Sequence, residues 1–266
     1  MKTFFLATAA ALTIISCNPK RSINKDIIPE NTHEINAQNG LFVIDSVKIE
    51  DSVRVGKTLN LKTSSKILLF PSLQNKAVLD SIYDLAGFKL NNYSKTEILK
   101  ELKKQNESYF SQAKEDSNDY MPQYDQTWEE NFYMRFISQK NNVLTLTFES
   151  DGYSGGAHGY YTILYKNLDL KKNQTVQLSD VFTDVQKINW DAILSKHFNV
   201  EEQKEMLLVD KIPVNDNFYY NDKGITFVYN QYEITAYAAG VVEITVPFAE
   251  LKSYLKPDFI KRNNIK

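Results

Sequence analysis

Apolar and polar residues alternate along much of this chain, and each change of period marks a new element. Residues 41–49 and 54–62 read as short strands, and 66–71 ("KILLFP") as a buried-type strand, after which 77–83 turns helical. Across 97–112, Ile98, Leu99, Leu102, Tyr109 and Phe110 share one face at helical spacing, with lysines and glutamates opposite, which predicts an amphipathic helix. After Tyr120 the period becomes two. Residues 131–138, 143–149 and 160–168 read as consecutive strands, with Leu144, Leu146 and Phe148 alternating with threonines in the middle one. Residues 169–178 hold a turn and a short strand, and 188–198 and 200–209 are expected helices. A hairpin is expected at 218–229, turning at 221–224, where Gly224 suits a positive φ. Residues 231–248 read as a second pair of strands, with Val242, Ile244, Val246 and Phe248 on one face. Strands and helices are segregated rather than alternating, so the expected class is α+β with mainly antiparallel sheet and packed helices.

The N-terminus reads as an address. Lys2 precedes an apolar run at 4–15, long enough for a signal sequence and too short to span a bilayer. Ile14-Ile15-Ser16-Cys17 resembles a bacterial lipobox, which implies a signal peptide over 1–16, cleavage before Cys17 and lipid on that residue. Several acyl chains would hold the protein on a membrane. Cys17 is the one cysteine of the chain, so no internal disulfide forms. Residues 17–39, with Lys20, Arg21, Lys25 and two prolines, read as a flexible tether. No later run reaches the ~20 apolar residues of a spanning helix, so the expectation is an anchored domain outside the cytoplasm, facing the periplasm or the exterior.

About 225 residues remain, ample for a core. The formal charge of −2, without a basic stripe or a helix-turn-helix pattern, points away from nucleic acid. The 16 tyrosines and 15 phenylalanines suit strands and core first, and stacking on a sugar or a protein partner second.

The stretch "SDGYSGGAHGYY" at 150–161 invites a chemical reading. Gly152 to Gly156 fits the G-x-S-x-G of a hydrolase elbow, with Ser154 as nucleophile and His158 nearby. An elbow needs a strand running in and a helix leaving, whereas Tyr160-Tyr161-Thr162-Ile163 predicts a second strand. Thr147 to Gly152 loosely resembles a stretch of metal-dependent polysaccharide deacetylases, but His33, His158 and His197 are the only histidines and no two are closely spaced. His158 with Asp151 or Glu149 supplies only part of a metal site. The simpler reading is a tight connection between antiparallel strands. Gly152, Gly155, Gly156 and Gly159 would provide left-handed backbone, and His158 a hydrogen bond across the loop. Such a loop can still carry recognition. The candidate binding or loop residues are Tyr153, Gly155, Gly156, His158 and Gly159, with Tyr232, Tyr237 and Glu243 from the C-terminal strands. No catalytic residue, metal or cofactor is assigned. Asp119, Asp125, Glu129 and Glu130 read as a solvated loop.

"YSGGAHGYY", followed by "NLDLKKNQTVQLSDVF" and by "FYYNDKGITFVYNQYEITAYAAGVVEITVPFAEL", resembles the extracytoplasmic region shared by RsiV-type anti-sigma factors and the N-terminal part of PdaC-type peptidoglycan deacetylases. One departure is Gln231, where that family often has proline before Tyr232. The resemblance implies an α+β fold of two closely associated parts, 40–166 and 167–257, with a short tail at 258–266. It also implies work in the cell envelope, since RsiV binds lysozyme and PdaC carries this region beside a separate catalytic domain. The expectation is therefore a displayed, non-catalytic recognition module for a lysozyme-like protein or peptidoglycan. The alternative is an envelope hydrolase or deacetylase-like enzyme using Ser154 and His158, or a metal at His158.

Overall fold

The computed structural model describes residues 33–37 and 40–266. The expected signal peptide, Cys17 and most of the expected tether lie outside the described residues. Residues within that expected tether nevertheless form a strand, β1 (His33–Ala37), which pairs antiparallel with the start of β2 (Gly40–Val55). β2 continues against β3 (Leu59–Leu69). The polar triplets Glu50-Asp51-Ser52 and Thr63-Ser64-Ser65, which break the apolar pattern, lie inside these two long strands rather than between shorter ones. The turn falls instead at Gly56, with φ +60°.

Two helices cross over from β3. α1 (Lys76–Asp84) begins at Asn75, whose Oδ1 accepts the Val78 N–H at 3.2 Å, and α2 (Lys95–Asp119) begins at Ser94, whose Oγ accepts the Glu97 N–H at 3.3 Å. The apolar stripe of α2 buries Ile98, Leu102, Phe110 and Ala113. The crossover returns the chain as β4 (Gln126–Lys140), which pairs with β3 in parallel. A bulge between Phe136 and Ser138 leaves Ile137 unpaired and exposed. β5 (Val143–Tyr153), β6 (Tyr160–Asp169) and the short β7 (Gln174–Thr175) complete a seven-stranded sheet in sequence order, antiparallel apart from β3–β4. Ile67, Leu69, Met134, Leu144, Leu146 and Phe148 face the two helices in one cluster, while Leu59, Leu61 and Trp128 meet Phe110 in another. The opposite sheet face is polar and aromatic, carrying Arg135, Thr147, Glu149, Tyr161 and Tyr165 at alternate positions.

The second part contains α3 (Leu178–Val181), α4 (Trp190–His197), α5 (Glu201–Lys204), a three-stranded sheet of β8 (Phe218–Tyr220), β9 (Gly224–Tyr229) and β10 (Val242–Pro247), then α6 (Phe248–Leu251) and α7 (Pro257–Asn263). Phe182, Trp190, Phe198, Phe227, Ile244 and Phe248 form its core, which also takes in Val143 of β5. All the described residues make one compact unit, and the fold is α+β as the patterning predicts.

Three expectations change. The helix expected over 200–209 stops at Lys204, and Leu207 instead bridges Thr235. Residues 231–241 form turns instead of a strand, because Tyr232 adopts φ +68° and Gly240 φ +71°, ψ −146°, conformations that break a strand. The 221–224 hairpin is present, with the Asn221 N–H donating to Gly224 O at 3.1 Å, but Gly224 is not at positive φ. It is needed for closeness, since a Cβ there would lie 2.3 Å from Val246 O.

Candidate functional site

The loop between β5 and β6 closes where Gly152 pairs with Tyr160. Gly155 and Gly156 have φ of +93° and +88°, so these two carry the left-handed turn. Gly159 serves another purpose: a Cβ there would sit 2.3 Å from Gly152 O, so only glycine lets the two strand ends come together. Gly155 packs over the indole of Trp128, and the Tyr153 O–H donates to Gly156 O at 3.0 Å. The loop is thereby held from below and from within.

This rigid turn presents His158 at the surface. Nδ1 donates to Gly159 O at 2.9 Å, which leaves Nε2 to accept the Tyr232 O–H, 3.4 Å away and 74 residues along the chain. The imidazole stacks on Tyr237 with centroids 3.9 Å apart and planes at 26°. Tyr232 and Tyr237 stand 5.9 Å apart and Tyr232 is 59% exposed, so the three rings form an open aromatic cluster. The supporting segment is firmly tied. Gln203 Nε2 donates to Ala239 O and Val241 O at 3.0 and 3.2 Å, and the Ala236 N–H donates to Met206 O at 2.9 Å.

The structure thus brings together Tyr153, Gly155, Gly156, His158, Gly159, Tyr232 and Tyr237. Glu243 lies apart, on β10, where the Tyr219 O–H donates to its Oε2 at 3.3 Å. Glu129 and Glu130, expected in a solvated loop, lie within β4, and burial raises the carboxyl of Glu130 above its ordinary range. His197 joins Glu250 at 2.7 Å.

The chemical alternatives find little geometry. Ser154 is followed by a strand, and both nitrogens of His158 are engaged elsewhere. Glu149 accepts from Arg135 at 2.7 Å and Asp151 from Asn131 at 3.0 Å. Among the described residues no three His, Cys, Asp or Glu side chains converge.

Sequence reasoning missed how the second part grips β6. The N–H groups of Tyr161, Ile163 and Tyr165 point away from β5, and each donates to a side-chain amide: Gln231 at 3.1 Å, Asn230 at 2.7 Å and Asn217 at 2.8 Å. Asn217 Nδ2 returns a bond to Ile163 O, and Asn167 Nδ2 donates to Phe218 O at 2.7 Å. The only signal was the density of Asn and Gln between 215 and 231.

Residues 56–161 match the family described as "Deacetylase PdaC", and residues 168–249 match "Protein of unknown function (DUF3298)". No curated protein matches the chain. Among solved structures, a DUF3298 family member from Bacteroides fragilis is 23% identical, with a TM-score of 0.68, covering 85% of this chain and 98% of its own. A DUF3298 family protein from Pseudomonas aeruginosa is 16% identical, with a TM-score of 0.55, covering 84% of this chain and 98% of its own. These two share its fold. The aromatic cluster joins the two matched regions, His158 from the first and Tyr232 and Tyr237 from the second; this chain carries a PdaC-type region followed by a DUF3298 region.

Proposed function

We propose that this protein is a non-catalytic recognition module of the bacterial cell envelope, anchored through lipid on Cys17, that binds a lysozyme-like protein or a cell-wall glycan at the His158, Tyr232 and Tyr237 cluster. The observation that carries the reading is this cluster: exposed His158 and Tyr232 with half-buried Tyr237, assembled from two distant stretches, with His158 held on a rigid turn. Pre-ordered aromatic side chains give large contact area at small entropic cost, which suits them to recognition. A slightly acidic chain is compatible with a strongly basic partner such as lysozyme. The test is calorimetric titration of residues 18–266 with lysozyme and, separately, with peptidoglycan fragments. Saturable binding of either that is lost in His158→Ala supports the proposal. Heat from neither removes both ligands.

The hydrolase reading draws support from the name of the family matched at 56–161. It requires turnover of an acetylated or glycosidic envelope substrate that Ser154→Ala or His158→Ala abolishes while the fold survives.

A further inference from the structure

Tyr165 of β6 and Tyr219 of β8 stack where the two sheets meet, with centroids 4.4 Å apart and planes at 25°. Glu243, on β10, hydrogen-bonds Tyr219 at 3.3 Å and is itself exposed. It forms no ion pair with any cationic side chain among the described residues. Glu149, on the same sheet face as Tyr165, is by contrast held by Arg135 at 2.7 Å. The stacked, half-buried rings therefore sit beside one negative charge without an ion-pair partner.

This combination has a chemical preference. The faces of phenol rings attract cations through their quadrupole, and a free carboxylate attracts the same charge. Guanidinium suits the place better than ammonium, because it is planar, weakly hydrated, stacks on aromatic faces and pairs bidentately with carboxylate. A neutral sugar would use the rings but leave the charge of Glu243 unanswered. A small free cation would gain little from so few contacts, so the cation must arrive on a larger surface. We infer that Tyr165, Tyr219 and Glu243 form an acceptor site for an arginine side chain of a partner protein. Crowding around the carboxyl of Glu243 raises its pKa despite the hydrogen bond from Tyr219, and a bound guanidinium would offset that penalty. The inference goes beyond the proposed function and stands apart from the His158 cluster.

The test is nuclear magnetic resonance of the soluble chain with labelled tyrosine rings, titrated with a capped triarginine peptide at low salt. The expected result is saturable movement of the Tyr165 and Tyr219 resonances. Glu243→Gln should weaken the peptide about tenfold, the scale of losing the charge partner of a cation held on aromatic rings. Glu202→Gln, which neutralises an exposed carboxylate on α5, should leave binding unchanged. A melting temperature measured for each variant separates lost binding from lost fold, and Glu243→Asp provides a milder version of the charge test. Static rings, or equal binding by wild type and Glu243→Gln, overturn the inference. It is also overturned if a chitin oligosaccharide moves these rings and the peptide does not, which would make the site a sugar platform.

Discussion

Asn217 stands beside Tyr165 as a substitute for a strand: its Oδ1 accepts the Tyr165 N–H at 2.8 Å. Its Nδ2 donates at the same time to Ile163 O and Val228 O. One side chain therefore satisfies backbone groups of β6 and β9 together. Asn217→Ala leaves a half-buried N–H and carbonyl without partners, and should cost about 2–3 kcal/mol. Urea denaturation measures this, and a loss below about 0.5 kcal/mol would mean water replaces the amide without penalty.

The glycines of the β5–β6 loop should separate by mechanism. Gly159→Ala forces a Cβ into the Gly152 carbonyl and must displace backbone, so about 2–3 kcal/mol of stability should be lost. Gly156→Ala meets nothing within 4 Å and incurs only the strain of φ +88°, about 1 kcal/mol. Thermal melts should rank Gly159→Ala well below Gly156→Ala. The reverse order would contradict the closeness of the two strand ends.

Acid should reveal the clamp between Asp169 and Arg262. Asp169 is 3% exposed, and burial alone would raise its pKa. Arg262 at 2.5 Å and the N–H groups of Lys171 and Lys172 outweigh burial and hold it below the ordinary 3.8. A lowered folded pKa stabilises the protein above the unfolded value, and that stabilisation is lost as pH falls through the folded value. Arg262→Met should therefore cost about 2–3 kcal/mol at neutral pH, allowing for the partial exposure of Arg262. The gap from wild type should narrow below pH ~4. A gap that is constant with pH would argue that Arg262 acts by packing alone.

The aromatic cluster separates recognition from support. His158 and Tyr232 are exposed, so His158→Ala or Tyr232→Ala should cost only about 1 kcal/mol of stability, the scale of one ring contact. Ligand affinity should fall at least tenfold for a central contact. Calorimetry paired with thermal melts distinguishes the two effects. Large destabilisation with unchanged affinity would make His158 a structural residue.

Local patterning reached the elements that are locally determined. The stripe on α2, the alternation in β5 and the hairpin before Gly224 all follow from neighbours in sequence. The β3–β4 pairing was not legible, since Leu61 and Trp128 meet in parallel only after both helices have crossed over. The turn at Tyr232 was also missed, because a β-prone "YEITAY" reads as a strand until long-range bonds to Met206 and Gln203 hold it otherwise. All three residues of the cluster stood out singly in the sequence. Their meeting depends on how the DUF3298 region lies along β6, which no local period encodes.

The amide cover along β6 also bears on self-association. A strand that begins Tyr-Tyr-Thr-Ile-Leu-Tyr, if left open at its edge, is a template for addition of another chain. Here the template is closed by side chains that carry no strand register of their own, so the edge is blocked without lengthening the sheet. The C-terminal region thereby covers an edge of the N-terminal one. A chain ending soon after Asp169, by truncation or by proteolysis, would lose that cover and be prone to self-association through β6.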